Sequence, residues 1–159
     1  MATVEQDFRV ETGCSKDLDS VMLVMDAAFG KRFGEAWTRS QLAGILPMAG
    51  VTLTLAREQE RGDVIGFSLV RTVTDESELL LIAVLPDCHR RGAGGILLDD
   101  FLNRARNDGV RRVHLEVRDG NPAVGMYKNA GFSPVGRRRN YYRAQDGERF
   151  DAITLAHQI

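Results

Sequence analysis

The stretch LLLIAVLPDCHRRGAGGILL, residues 79–98, decides the fold. Its first seven residues are all apolar, which predicts a strand covered on both faces, although a buried helical segment gives the same pattern. Pro86 ends the strand, and a turn rich in arginine and glycine follows at 90–95. Apolar residues then recur at helical spacing, so that Leu98, Phe101 and Ala105 share one face with Gly94. We therefore predict a buried strand, a glycine-rich turn and an amphipathic helix.

The glycine-rich turn is a candidate anion site. A helix that begins in small residues exposes unpaired backbone N–H groups, and these donors together with the helix dipole favour a bound phosphate. A tight turn without any ligand is the simpler alternative. The turn has no Gly-Lys-Ser/Thr of a Walker loop and does not fit the dinucleotide fingerprint Gly-x-Gly-x-x-Gly.

The arrangement of this turn resembles the acyl-CoA pyrophosphate loop of the GCN5-related N-acetyltransferases (GNAT superfamily), Arg/Gln-x-x-Gly-x-Gly/Ala after a buried strand. His89 takes the first position of the motif, where Gln or Arg is usual in the family. The resemblance implies that acetyl-CoA is the cosubstrate. It also implies a strand whose backbone pairs with the pantetheine arm, at Ile82, Ala83 and Val84, and a pyrophosphate loop formed by Arg90, Arg91, Gly92, Ala93, Gly94 and Gly95.

Length and composition predict one domain, residues 1–159, of ordinary globular character. A net charge of −1 argues against a general nucleic-acid or membrane-surface binder. Cys14 and Cys88 have no zinc-site spacing, so we expect free thiols and no metal. The chain has neither an apolar run long enough for a membrane span nor a signal-peptide core, and we expect a cytoplasmic protein.

Periodicity and turn residues predict an α+β sandwich with a mixed sheet. Helices are expected after Ser15, Thr38 and Asn121 as N-caps, in addition to the helix that follows the glycine-rich turn. We predict strands at 8–10, 51–56, 64–74, 76–85, 113–117, 132–135 and 153–155, with a basic, tyrosine-bearing loop before the last of them. The resemblance implies the GNAT fold, a three-layer sandwich whose mostly antiparallel central sheet is flanked by helices.

A second informative stretch is LEVRDGNPAVGMYKNAGF, residues 115–132. Spacing alone leaves Glu116 compatible with a solvent-facing strand position and Tyr127 compatible with simple packing. Together with GRRRNYY at 136–142, however, the stretch resembles the RimI-type N-acetyltransferases, and the likeness extends over about residues 78–155. It implies that Glu116 is the general base, that Tyr127 is the general acid and that Asn121 makes a polar contact to the cofactor.

RimI-type enzymes acetylate the N-terminal amine of a ribosomal protein, so the resemblance implies a protein N-terminus as acceptor and direct transfer in a ternary complex. We expect Trp37, Tyr141 and Tyr142 to bind this substrate, although Trp37 also suits a core position. RimI-type chains often carry Phe-Pro-Trp-Ser in this loop, where this chain has Glu-Ala-Trp-Thr at 35–38.

Other hypotheses remain open at this stage. The acceptor amine is alternatively that of a lysine, a polyamine or another small molecule, and a CoA-binding sensor without turnover is a hypothesis of another class. Cys88 next to His89 suggests a covalent route, although neighbours on a turn usually point apart. Arg137 to Arg139, beside two tyrosines, are compatible with RNA binding, with a solvated hairpin or with a loop that closes over a peptide. We favour the peptide loop, and we predict neither a nucleic-acid nor a membrane partner.

Overall fold

The chain forms one seven-stranded sheet with helices on both faces, in a computed structural model that describes residues 7–89 and 91–159. Two 3-10 turns, Ser15–Asp17 and Pro86–Cys88, precede α1 and α3. The strands are β1 Phe8–Thr12, β2 Val51–Glu58, β3 Val64–Val73, β4 Glu76–Val84, β5 Arg112–Arg118, β6 Ser133–Arg143 and β7 Arg149–Gln158. The helices are α1 Leu18–Phe29, α2 Arg39–Ile45, α3 Ala93–Asn107 and α4 Val124–Asn129.

The strand order is β1-β2-β3-β4-β5-β7-β6, and β4 with β5 is the parallel pair in an otherwise antiparallel sheet. Parallel neighbours need a long crossover connection, and α3 is the helix that connects β4 to β5 in this way. The predicted fold class, a mixed and mostly antiparallel sheet flanked by helices, is therefore confirmed.

Two core layers sit on opposite faces of the sheet. On one face α1 packs against alternate residues of the central strands, among them Phe67, Leu69 and Leu81. On the other face α3 packs against Leu79 and Val84 in two adjoining clusters. Alternate strand residues point to opposite faces, so the unbroken apolar run in β4 serves both layers at once.

Strands β4 and β5 pair only at their beginnings, and this defect positions the site. Their register runs from Glu76 opposite Arg112 to Leu79 opposite Leu115 and then stops. On its other edge β4 carries a bulge, because Leu69 of β3 faces Leu81 while Val70 faces Leu79. The extra residue, Leu80, bends β4 at the point where its pairing with β5 ends. The two strands therefore separate, and the edges that face each other beyond Leu79 are open.

Local hydrogen bonds confirm one predicted helix start and correct two others. The backbone N–H of Gln41 donates to the Thr38 hydroxyl oxygen (3.2 Å), so Thr38 is the N-cap of α2 as predicted. Ser15, by contrast, lies inside a 3-10 turn, and α1 begins only at Leu18, because the Cys14 backbone N–H is tied to the Asp17 carboxylate (2.8 Å). The Asn121 side-chain oxygen accepts from the Ala123 N–H (2.9 Å) and closes a turn before α4. Asn121 is therefore not the N-cap, since α4 begins at Val124, three residues later.

The prediction of a basic loop near the end of the chain is wrong. Residues 133–143 and 149–158 form a long hairpin, so Arg137 to Arg139 and both tyrosines lie on β6. β6 is an edge strand, and nearly all of its residues are exposed. An exposed edge strand needs no apolar alternation, and a register shift at Asn140, where φ is +54°, interrupts the pattern further.

Across residues 7–89 and 91–159, none of the helices has the length and apolar character that a membrane crossing requires. In the same residues, no group of three or more His, Cys, Asp or Glu side chains is arranged to hold a metal ion.

Candidate active site

The space between the separated strands is a cavity of about 760 Å³. This volume falls in the range that binds small-molecule ligands and cofactors. The glycine-rich turn and the end of β4 form one part of its wall, and β5 and α4 form the opposite part. The loop between α1 and α2 contributes further lining residues, Phe33 and Glu35, and β6 contributes Tyr142.

The glycine-rich turn presents free backbone donors to this cavity. Gly92 precedes α3 with a φ of +88°, a conformation that favours glycine, and the Ile96 N–H donates to its carbonyl (3.0 Å). The N–H groups of Ala93, Gly94 and Gly95 consequently have no acceptor within α3. A Cβ placed on Gly92 or on Gly95 would meet no atom within 4 Å among the described residues. An anionic group can therefore approach this helix start closely.

The structure describes one of the two arginines of the predicted pyrophosphate loop, Arg91. Arg90 lies outside the described residues. The Arg91 guanidinium lies 4.8 Å from the centre of the Phe8 ring and 3.4 Å from a Glu58 carboxylate oxygen. Its side chain is thus directed toward β1 and β2, and any contribution to an anion at the turn comes from its backbone.

The predicted pantetheine strand lies along the cavity. Ile82, Ala83 and Val84 line it from β4, beyond the last residue that pairs with β5. A strand edge that lacks a neighbouring strand offers backbone N–H and C=O groups at regular spacing. Such an edge suits an extended ligand that carries amides, as the pantetheine arm of CoA does.

Glu116 is held at the opposite wall, on β5. Its neighbours Leu115 and Val117 point into the core layer of α3 and α4, so the carboxylate leaves the strand on the face of α1. The Thr154 hydroxyl, directly across on β7, donates to one carboxylate oxygen (2.8 Å), and the Arg138 Nε donates to the other (2.7 Å). The Glu116 side chain is 12% exposed, whereas that of Arg138 is 63% exposed. One oxygen therefore has a partner that can move away into solvent.

Tyr127 approaches the same cavity from the other face of the sheet. It lies on α4, is buried, and packs edge-on against Phe132 with ring centres 5.9 Å apart. Burial raises the pKa of the Tyr127 hydroxyl well above its usual range, and the charge of Glu35 raises it further. The hydroxyl therefore stays protonated at physiological pH, as a proton donor must.

The structure separates the three predicted substrate-binding residues. Tyr142 lines the cavity, and its hydroxyl donates to the Glu116 carbonyl oxygen (3.4 Å). Tyr141 lies at the rim, half exposed, and its ring packs edge-on against that of Tyr142 with centres 5.0 Å apart. Trp37 is half-buried against the core layer of α1 and is not part of the cavity wall.

Asn121 lines the cavity with its amide already engaged on both sides. Its carbonyl oxygen caps the turn before α4, and its Nδ2 donates to Glu35 (3.1 Å). A contact between Asn121 and a cofactor stays a prediction, and the observed bonds assign it a second role. It connects the α1–α2 loop to the helix that carries Tyr127.

Glu35 and Arg118 are site residues that the sequence reasoning missed. Both side chains are only 10% exposed, both line the cavity, and a Glu35 carboxylate oxygen lies 3.3 Å from the Arg118 Nε. The Arg118 guanidinium also lies 3.5 Å from the centre of the Phe33 ring. A glutamate at the position where RimI-type chains often carry phenylalanine was the available indication, since a carboxylate rarely replaces an aromatic side chain without a new partner.

Cys88 and His89 do not form a nucleophilic pair in this structure. The thiol is buried, and the His89 Nε2 makes its hydrogen bond with the Val84 carbonyl oxygen (3.0 Å). The ring therefore closes the turn after β4. Among the described residues the Cys88 sulfur accepts a hydrogen bond from the Arg91 guanidinium (3.8 Å) and has none with the His89 ring.

The chain matches the acetyltransferase (GNAT) family over residues 18–132, which is more than half of its length. Two curated relatives are ribosomal protein bS18-alanine N-acetyltransferases. The protein from Haemophilus influenzae is 38% identical over 97 residues, 61% of this chain and 66% of its own length, and that from Escherichia coli K12 is 40% identical over 101 residues, 63% and 68%.

The aligned part of this chain thus spans about two thirds of the length of these relatives. A solved structure, the ribosomal-protein-S18-alanine N-acetyltransferase from Escherichia coli, is similar over 96% of this chain and 94% of its own, with a TM-score of 0.85 and 29% identity. The similarity of fold therefore extends well beyond the segment that the sequence alignment covers.

Proposed function

Because the chain belongs to the GNAT family of acetyltransferases, we propose that it transfers the acetyl group of acetyl-CoA to the N-terminal α-amine of a protein. The acceptor class we propose is a ribosomal protein, since the curated relatives are named for the N-terminal alanine of ribosomal protein bS18. A cytoplasmic location goes with this acceptor.

One observation supports the proposal above the others. Glu116 and Tyr127 come from opposite faces of the sheet and line the same cavity, at the separation of β4 and β5. A carboxylate and a protonated phenol on two sides of one opening are the groups that amine acetylation needs, one to accept a proton and one to donate it.

The residues of the cavity fit acetyl-CoA. The free N–H groups at the start of α3 suit the pyrophosphate, and the open edge of β4 from Leu80 to Val84 suits the amides of the pantetheine arm. Gly92 and Gly95 leave room for close approach. When bound, acetyl-CoA supplies the thioester, whose C–S bond breaks as the bond between the acetyl carbon and the acceptor nitrogen forms.

In the proposed reaction Glu116 accepts a proton from the acceptor amine, directly or through a water. An α-amine has an ordinary pKa of about 7.7–8.0, so most of it is a cation at pH 7 and has no lone pair for attack. Arg138, the exposed partner of one Glu116 oxygen, turns away when the amine arrives. Tyr127 donates its hydroxyl proton to the leaving sulfur. The second proton of the acceptor nitrogen, released once the C–N bond has formed, returns to the Tyr127 oxygen, so that the products are the amide and the CoA thiol with one proton on Glu116. Transfer is direct, in a ternary complex, and the chain holds both reactants in one cavity.

The test is turnover of acetyl-CoA with short peptides that have a free N-terminus, beside the same peptides with a blocked N-terminus and a free lysine. We expect turnover only with the free N-termini. Turnover confined to lysine peptides would move the acceptor, and binding of acetyl-CoA without turnover on any peptide would point to a small amine or to a sensor.

A further inference from the structure

The cavity wall holds a second carboxylate besides Glu116. Among the described lining residues, Glu35 and Glu116 are the two acidic ones. Glu35 sits on the loop between α1 and α2, and Glu116 sits on β5. Tyr142 lines the same cavity, and its hydroxyl donates to the backbone carbonyl oxygen of Glu116 (3.4 Å).

The two carboxylates differ in how fully their oxygens are occupied. Both oxygens of Glu116 accept hydrogen bonds, from Thr154 and from Arg138. One Glu35 oxygen accepts from Asn121 (3.1 Å). The other Glu35 oxygen approaches the Arg118 Nε at 3.3 Å without the alignment of a hydrogen bond, since this buried Nε is left without a hydrogen-bond partner among the described residues. This Glu35 oxygen therefore retains acceptor capacity, which a cationic donor can use.

Arg118 does not depend on Glu35 for its position. Its guanidinium stacks on Phe33, and its Nη1 donates to the Asp119 carbonyl oxygen (3.2 Å). Glu35 is likewise held by Asn121, which caps the turn before α4. Both charges are thus fixed before any acceptor binds, and Glu35 stays at the wall of the cavity that Tyr127 also lines.

From this geometry, and resting on the proposed function, we propose that Glu35 binds the α-ammonium group of the acceptor and so selects cationic amines, before Glu116 removes the proton. Glu35 is then a binding residue, and Glu116 is the base. The cation meets a carboxylate oxygen that retains acceptor capacity on a side chain only 10% exposed, where a charge-assisted hydrogen bond is strong.

The experiment compares the binding of two peptides at pH 7, one with its free α-amine and one with a hydroxyl in place of that amine. Dissociation constants are measured by calorimetry in the presence of CoA. The wild-type protein is expected to bind the charged peptide about tenfold more tightly, as charged hydrogen bonds exceed neutral ones. Glu35→Gln is expected to reduce this preference at least threefold and to raise KM for the peptide about as much, with kcat changed less than threefold.

Glu148→Gln is the matched control. Glu148 pairs with Arg32 (2.8 Å) and so anchors the same loop from outside the cavity. If Glu35 merely anchored the loop, Glu148→Gln would reduce the preference equally, and that result would overturn the proposal. An unchanged preference in Glu35→Gln would also overturn it.

Binding of acetyl-CoA shows whether each variant has an intact cavity. If Glu35→Gln fails this check, Glu35→Asp decides, because the shorter carboxylate keeps its charge but withdraws from the amine. A reduced preference supports the proposal, and an unchanged one refutes it. Should the wild-type protein acetylate only lysine or small amines, the proposed function fails, and the same ratio is then measured with that amine and its hydroxyl analogue.

Discussion

Glu116→Gln is the substitution that tests the proposed chemistry most directly. The amide has nearly the same shape, and its oxygen can still accept from the Thr154 hydroxyl. The Arg138 partner is mostly exposed, and ion pairs with exposed partners are worth at most about 1 kcal/mol, so we expect little loss of stability. Loss of a general base typically costs about 10²–10⁴-fold in rate. We therefore expect kcat to fall about 100-fold or more at pH 7, with an almost unchanged melting temperature.

The pH dependence of this defect separates proton removal from other roles of Glu116. With an amine pKa near 8, about one tenth of a free N-terminus is neutral at pH 7 and about nine tenths at pH 9. The variant depends on amine that is already neutral, so it should recover about tenfold over this interval relative to the wild-type protein. The assay is steady-state release of CoA from acetyl-CoA with one free-N-terminus peptide, at both pH values. A defect below tenfold at pH 7, or one that is the same at pH 9, would refute the assignment.

Three further substitutions test other parts of the site. Tyr127→Phe keeps the ring against Phe132 but removes the proton donor, so kcat should fall at least tenfold with little change in KM for acetyl-CoA, and steady-state kinetics checks this. Because the Tyr127 pKa is raised, the wild-type kcat should show no alkaline loss from this group up to about pH 10, the ordinary pKa of tyrosine, and a fall that Tyr127→Phe abolishes would contradict this. Gly95→Asp puts a carboxylate at the proposed pyrophosphate site and should weaken acetyl-CoA binding more than tenfold by calorimetry, whereas Gly44→Asp in α2, where a Cβ also has open space, should leave it unchanged. Cys88→Ala should retain more than half of the wild-type kcat, and a loss beyond tenfold in a folded variant would favour the covalent route.

The part of the cavity that we propose for the cofactor could be predicted from the sequence because its residues are close together in the chain. One stretch, 79–98, contains the buried strand, the glycine turn and the helix start, and each of these has its own pattern of residues. The apolar run predicted a strand with two covered faces, and β4 does pack on both layers. The pattern did not reveal the bulge at Leu80, because an inserted residue in a wholly apolar run leaves no break in the sequence.

The part that we propose for the acceptor was harder to predict because its residues are far apart in the chain. Glu35, Glu116 and Tyr142 meet only through the fold, and nothing near Glu35 in the sequence indicates Arg118 or Asn121 as partners. Trp37 was the prominent residue of the loop because it is the one tryptophan there. It packs on the core, however, and Glu35 lines the cavity instead. Burial in the core layer stabilises an aromatic side chain more than a hydrated position at the edge of the cavity does.

The difference between the two halves follows from what each must recognise. CoA is the same molecule for every member of the family, and here the groups available to bind it belong to the backbone: the helix start after Gly92 and the open edge of β4. Backbone groups need only small neighbours and a sheet that separates, so the pattern stays recognisable while other residues vary. The acceptor differs between enzymes, and discrimination among amines requires side chains that differ too. The glutamate at position 35 is such a difference, because it places a carboxylate between Arg118 and Asn121 where a RimI-type phenylalanine could make neither contact.

We therefore expect acceptor preference to follow the residue at position 35 and acetyl-CoA affinity to be independent of it. Glu35→Phe should change the ranking of acceptor peptides in competition assays. The same substitution should leave the calorimetric dissociation constant of acetyl-CoA within about twofold. A change in that constant without a change in ranking would show that the two halves of the cavity are not separable in this way.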